Sequence, residues 1–180
     1  MSAKRSKRLV IDASIARAAG GPDATFPTSK HCRDFLQDVI TICHRIVMTT
    51  EINEEWRRHQ STFARRWLVS MYARKKVHWE DVVQPDESLR ARISQAATSE
   101  VGRAALLKDC CLVEAALATD RTVTSLDERV RRLLGEVAQQ LGELRPIVWV
   151  NPDVQEEGCH DWLQAGAEPE RERQLGARDE

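Results

Sequence analysis

Apolar positions along the chain alternate between short unbroken runs and stripes at helical spacing. Leu9-Val10-Ile11 is an all-apolar run that stops at Asp12, the pattern of a strand buried on both faces. Gly20-Gly21-Pro22-Asp23 and Pro27 mark a loop, after which Thr28 or Ser29 stands ready to cap a helix. In that helix Cys32, Phe35, Leu36, Val39, Ile40 and Cys43 recur at steps of three and four, a core-facing stripe. Ile46-Val47-Met48 reads as a second strand, and Thr49 or Thr50 as the cap of a helix that turns Ile52 and Trp56 inward. The pattern then predicts helices over 88–98 and 103–119, the second apolar nearly all round, and a short strand at Val123. Val130, Leu133, Leu134, Val137 and Leu141 form an amphipathic helix closed by Gly142, and Pro146 precedes a last buried strand, Ile147-Val148-Trp149-Val150. Strands alternating with helices imply right-handed crossovers and a parallel sheet covered on both faces. The expectation is therefore an α/β protein, a three-layer α/β/α domain over residues 8–150 with a short central parallel sheet.

The flanks differ from this core. Residues 1–7 read as a basic N-terminal tail, and 151–180 as an acidic, partly disordered C-terminal tail. In that tail Trp162 and Leu163 are the only bulky apolar anchors, and mobility is expected beyond Gly166. One domain is the natural division of 180 residues. The longest apolar runs, such as Cys110–Val113, are far short of the ~20 residues of a membrane span, so no membrane partner is expected. The basic start is followed only by Leu9-Val10-Ile11 before Asp12, which is no signal peptide. Five cysteines (Cys32, Cys43, Cys110, Cys111, Cys159), an odd count without CxxC spacing, point to reduced thiols and a cytoplasmic protein.

A formal net charge of −1 conceals a strong segregation. Residues 57–78 hold seven cations (Arg57, Arg58, Arg65, Arg66, Arg74, Lys75, Lys76) and no acid, whereas 151–180 hold nine acids against three arginines. Such a chain has a positive face and a negative end.

Acids stand where strands end. Asp12 follows the first strand, Asp127 follows Thr122–Leu126, and Glu51, Glu54 and Glu55 occupy the first turns of the helix after 46–48. In open α/β sheets that edge is where ligands bind. Asp109 lies within an apolar helix, where an unpaired carboxylate costs several kcal/mol and calls for a partner or a cation. Each acid also has a plain structural reading. Asp12 and Asp127 can cap the helices that follow them, the three glutamates can complement a helix N-terminus, and Asp109 can pair with Lys108 or Arg103. Carboxylates converging on one point repel unless a cation lies between them, and oxygen-only ligation suits Mg²⁺ or Mn²⁺ rather than Zn²⁺.

The order strand-Asp, strand-helix-Glu, helix-Asp, strand-Asp resembles the PIN-domain family of metal-dependent nucleases. The matching residues are Leu9-Val10-Ile11-Asp12-Ala13-Ser14, Ile46 through Trp56, Lys108-Asp109 and Val123-Thr124-Ser125-Leu126-Asp127. The resemblance implies that Asp12, Glu55, Asp109 and Asp127 hold one or two divalent cations, Mg²⁺ or Mn²⁺, with Ser125 in the hydroxyl position of the last turn. Glu54 takes the place of Glu55 if the helix phase shifts. It further implies an endoribonuclease that hydrolyses phosphodiester bonds and leaves a 5′-phosphate and a 3′-hydroxyl. Such a protein acts either as the toxin of a toxin–antitoxin pair or in RNA processing. Its implied partners are RNA, an antitoxin or other protein, and a second copy of the chain through Trp162 or the 133–141 helix. The reading from another class is a catalytically silent PIN-like module that binds RNA or protein. A structure-specific DNA nuclease lacks the long insertion that threads a flap. A haloacid-dehalogenase-type phosphatase needs an acid at position 14, which is Ser.

The basic stretch supports a polyanionic substrate. Residues 56–79 interleave their cations with Trp56, Phe63, Trp67, Tyr72 and Trp79, and an exposed aromatic stacks on a base for ~1–3 kcal/mol. The competing expectation is that these aromatics are core, since Phe63, Trp67 and Met71 are spaced four apart. The candidate nucleic-acid contacts are Arg57, Arg58, Arg65 and Arg66, with Lys30 and Arg33 at the start of the second helix.

Overall fold

A computed structural model describes residues 6–80 and 85–177 of the chain. Lys4 and Arg5 of the basic tail, and Arg178, Asp179 and Glu180, lie outside the described residues.

The architecture is α/β. Strands β1 (Arg8–Ile11), β2 (Arg45–Met48), β3 (Val77–Trp79), β4 (Thr122–Thr124) and β5 (Val148–Val150) form one sheet in the order β3-β2-β1-β4-β5. All four pairings are parallel, with Leu9 opposite Ile46, Val10 opposite Val123 and Val123 opposite Trp149. The central strands are short because burial on both faces demands unbroken apolar runs: Leu9, Val10, Ile11, Ile46, Val47 and Met48 are all sealed from solvent.

The helices fall into two groups, the outer layers of a three-layer fold. α2 (Pro27–Ile42) packs against α1 (Ala13–Ala18), α4 (Thr62–Ala73) and α9 (Cys159–Gln164). α6 (Glu100–Lys108) packs against α5 (Glu87–Ala96), α7 (Cys110–Ala118) and α8 (Glu128–Ala138). α3 (Thr50–His59) touches both groups through α1 and α7. Trp56 pins it to the sheet: the ring is buried, stacks on Trp67 at 5.9 Å between centroids, and donates Nε1–H to the Ile11 carbonyl at 2.8 Å. Trp67 donates to the Leu36 carbonyl at 2.6 Å, so both indoles serve the core, as the four-residue spacing implied. Tyr72 and Trp79 are exposed.

Several expectations need correction. Neither Thr28 nor Ser29 caps α2. Pro27 takes the first helical position, where its missing N–H is no loss, Phe26 stands at the cap, and Thr28 donates its hydroxyl to Asp153 at 2.7 Å. The predicted helix 103–119 is two helices, interrupted at Asp109 (φ −101°, ψ 9°). α8 ends at Ala138, and Gly142 opens a short 3₁₀ turn instead of closing the helix. β3 has no apolar run to announce it, because an edge strand that is half-exposed carries Val77, His78 and Trp79.

The C-terminal segment is not a loose tail as far as residue 177. α9 seats Trp162 and Leu163 against the domain, and the chain then passes beside β5, where Leu175 N–H donates to Ile147 O at 2.9 Å and Leu175 is buried. Three of its acids are paired: Glu157 holds Arg131 and Arg173, Glu170 holds Arg173, and Asp153 holds His31 at 2.8 Å. Trp162 and the Leu133, Leu134, Val137 and Ala138 stripe of α8 are buried in the core, while Arg132 and Glu136 of the same helix are exposed. Among the described residues, no helix is long and apolar enough to cross a membrane.

Candidate active site

Parallel strands aim their carboxyl ends at one edge of the sheet, and there a cavity of about 400 Å³ opens. The chain delivers acids to it from four elements: Asp12 directly after β1, Glu51, Glu54 and Glu55 on α3, Asp109 between α6 and α7, and Asp127 after β4. The four residues that the PIN resemblance singled out thus line one hollow.

Asp12 occupies the cap position of α1 yet makes no side-chain cap bond. Two serines hold it instead. Ser14 donates to its Oδ2 at 2.5 Å and Ser125 at 2.8 Å, while each serine oxygen accepts a backbone N–H from the β4–α8 turn, Leu126 on Ser14 and Asp127 on Ser125. The turn and the strand-end carboxylate are therefore locked together, with Ser125 itself buried. Asp127 does cap its helix, accepting Val130 N–H at 2.9 Å through Oδ1. Among the described residues no hydrogen bond is donated to Asp12 Oδ1 or Asp127 Oδ2, so each carboxylate spends one oxygen on the fold and keeps one for the cavity.

Asp109 is the strained charge of the set. Burial, and then the neighbouring Asp12 carboxylate, push its pKa up to about 6; Lys108 pulls against them, and Asp127 and Glu55 add lesser upward pushes. Arg103 does not pair with it; that guanidinium binds Glu100 and the Ser94 carbonyl. The plain alternative of an ion-paired Asp109 therefore reduces to Lys108 alone. Both Glu54 and Glu55 line the cavity, but Glu55 is the one whose charge Asp109 feels, and it is held by Arg58 at 2.8 Å and His59 at 3.4 Å. Glu51 turns toward Arg90 at 3.2 Å.

No family model, curated protein or solved structure matches this chain. The site must be judged on its own chemistry. Its donors are carboxylate and hydroxyl oxygens, which suit a hard divalent cation. Cys111 also lines the cavity, but burial and the nearby acids push its thiol up to about 12, so it remains a neutral S–H. Among the described residues no group of three or more His, Cys, Asp or Glu side chains is placed to hold a metal ion.

The walls also hold three basic residues, Arg17, His59 and Lys108, of which the sequence reading named only Lys108, as a partner of Asp109. Two of them had a signal. Arg17 lies one helical turn beyond Ser14, and His59 one turn beyond Glu55. Among the predicted phosphate contacts, Arg57, Arg65, Arg66 and Lys30 are exposed, and Arg58 is exposed but paired with Glu55. Arg33 is corrected: it binds Asp34 and the carbonyls of Gly21 and Pro22, bracing the loop before α2.

Proposed function

We infer that the protein is a Mg²⁺- or Mn²⁺-dependent endoribonuclease of the PIN type. The observation that carries this reading is Asp109, a half-buried carboxylate crowded by Asp12, Asp127 and Glu55. An arrangement that destabilises the free protein is retained where a cation offsets it. Asp12, Asp109 and Asp127 would hold the ion through their free oxygens, with Glu55 as a further ligand or as the base that orients the attacking water. A divalent cation bound there polarises the phosphodiester and makes the water nucleophilic at neutral pH. Ser14 and Ser125 keep Asp12 fixed, so the charge needs no rearrangement during reaction. Arg17 and Lys108 stand where the substrate's phosphate oxygens would approach.

The exposed basic run of α3 and α4 favours RNA or another polyanion as substrate. The five free thiols support a reducing compartment, and we place the enzyme in the cytoplasm, as a toxin with an antitoxin partner or as a processing enzyme. The test is cleavage of labelled single-stranded RNA and DNA in Mn²⁺, Mg²⁺ or EDTA, beside an Asp12→Asn/Asp127→Asn protein. Metal-dependent cutting of RNA should fall by about a thousandfold or more in the double variant. Equal cutting by both proteins would sink the proposal. Growth arrest on expression, relieved by Asp12→Asn, would mark the toxin.

A further inference from the structure

A second cavity, of about 630 Å³, borders the first across the end of α1 and the α3–α4 turn. They have no lining residue in common, but their walls come within two residues of each other along the chain. Arg17 lines the first and Ala19 the second; His59 lines the first and Ser61 the second. Two residues of chain span at most about 7 Å, so the hollows adjoin. Ser61 N–H donates to the Ala16 carbonyl at 3.0 Å and fixes the partition between them.

One face of α4 supplies the chemistry. Phe63, Arg66, Ser70 and Arg74 follow at steps of three and four, which places them in one row along the helix, and all four line the cavity. Phe63 is half-buried against the core and so presents a fixed ring. Arg66 and Arg74 are exposed, and among the described residues neither guanidinium enters an ion pair, unlike Arg58 and Arg33. The opposite rim is Gly20-Gly21-Pro22, a backbone edge without bulky side chains. An aromatic ring, two unpaired cations and hydroxyls from Ser61, Thr62 and Ser70, set around a hollow of nucleotide size, match a base and its phosphate. An acidic peptide would satisfy the cations but leave the ring unused.

We propose that this second cavity is a nucleotide subsite for single-stranded RNA, in which a base packs on Phe63 and its phosphate lies between Arg66 and Arg74. The nucleotide bound there neighbours the one whose phosphate reaches the carboxylates. That relation rests on the nuclease reading; the binding itself does not.

The experiment is fluorescence anisotropy of a labelled uridine hexanucleotide with the full chain in EDTA, over a range of salt. Wild type is compared with Arg66→Gln/Arg74→Gln, with Phe63→Leu, and with Arg129→Gln/Arg132→Gln, an equal charge change on α8. The arginine pair should weaken binding about tenfold or more and flatten the salt slope by about 0.7, the value for one single-strand phosphate no longer neutralised. Phe63→Leu should weaken binding about tenfold with the slope unchanged. The α8 control should bind like wild type, and every variant should keep the melting temperature and Mn²⁺-induced shift of wild type. No binding by wild type, an α8 control as weak as the α4 pair, or competition by polyglutamate equal to that by RNA would each overturn the subsite. A protein that never cuts RNA or responds to Mn²⁺, yet loses the hexamer with Arg66 and Arg74, keeps the subsite and loses the nuclease reading. Mn²⁺-dependent cutting with unaltered hexamer binding does the reverse.

Discussion

Asp109 and Glu114 lie five residues apart, one at the head of α7 and one inside it, and the fold treats them in opposite ways. Glu114 is almost fully buried and fully satisfied. Arg90 grips both of its oxygens, at 2.7 and 2.8 Å, and Asp86 N–H donates to Oε1 at 2.9 Å. Asp109 is less buried, yet it faces Asp12, Asp127 and Glu55 with only Lys108 as counterweight. The first carboxylate holds α5 to α7. The second has no structural reason to be charged. A buried acid with its own cation is part of the scaffold, whereas one crowded by other acids marks a place where something positive belongs.

The sharpest way to break the contrast is to remove the partner of the satisfied acid. Arg90→Ala leaves Glu114 buried without its cation, held only by the Asp86 N–H, and should destabilise the protein by about 3–5 kcal/mol in urea unfolding. Next comes relief of the crowded acid. Asp109→Asn should stabilise the metal-free protein at pH 7.5 by on the order of 1–2 kcal/mol, once solvent screening of a half-buried group is allowed for. The sign follows from the raised pKa: the folded state holds the Asp109 proton more tightly than the unfolded chain does. The stability linked to that proton is full below about pH 4, where both states are protonated, and is lost as pH rises through about 6. The advantage of Asp109→Asn should therefore fade toward pH 4. Mg²⁺ should raise the melting temperature of wild type and not that of the variant. A gain for Asp109→Asn without any Mg²⁺ effect on wild type would favour the catalytically silent binding module. The smallest effect belongs to the exposed pair: Arg58→Ala, which leaves Glu55 with His59 alone, should shift stability by no more than about 0.5 kcal/mol.

Local pattern revealed most of the scaffold. The apolar runs at 9–11 and 46–48 became strands, as did 148–150 of the run from Ile147; the stripe from Cys32 to Ile40 became the inner face of α2, though its last expected member, Cys43, lies exposed beyond the helix end; and Thr49 caps α3 by accepting Ile52 N–H at 3.2 Å. Wherever burial comes from long-range packing, the pattern was silent. β3 is a strand because β2 offers it a free edge, not because Val77-His78-Trp79 is apolar. The acidic C-terminal segment folds back because Trp162, Leu163 and Leu175 find seats and Arg131 and Arg173 neutralise Glu157, partners remote in sequence. Arg33 looked like a phosphate contact because nothing near it in sequence announces the loop carbonyls of Gly21 and Pro22 that it binds.

The candidate site divides the same way. Strand-end positions alone put Asp12 and Asp127 at the carboxyl edge of a parallel sheet, since strand direction follows from the alternation of elements. The sequence by itself therefore determined the layered α/β fold and which acids could meet. Only the tertiary structure decided how they meet: that two serines brace Asp12, that α6 breaks to present Asp109, and that Arg17, His59 and Lys108 share the cavity. The reason is physical. Secondary structure is written in near neighbours through hydrogen-bond period and apolar spacing, whereas the electrostatics of a site depend on distances between residues up to 115 positions apart, such as Asp12 and Asp127, which only packing sets.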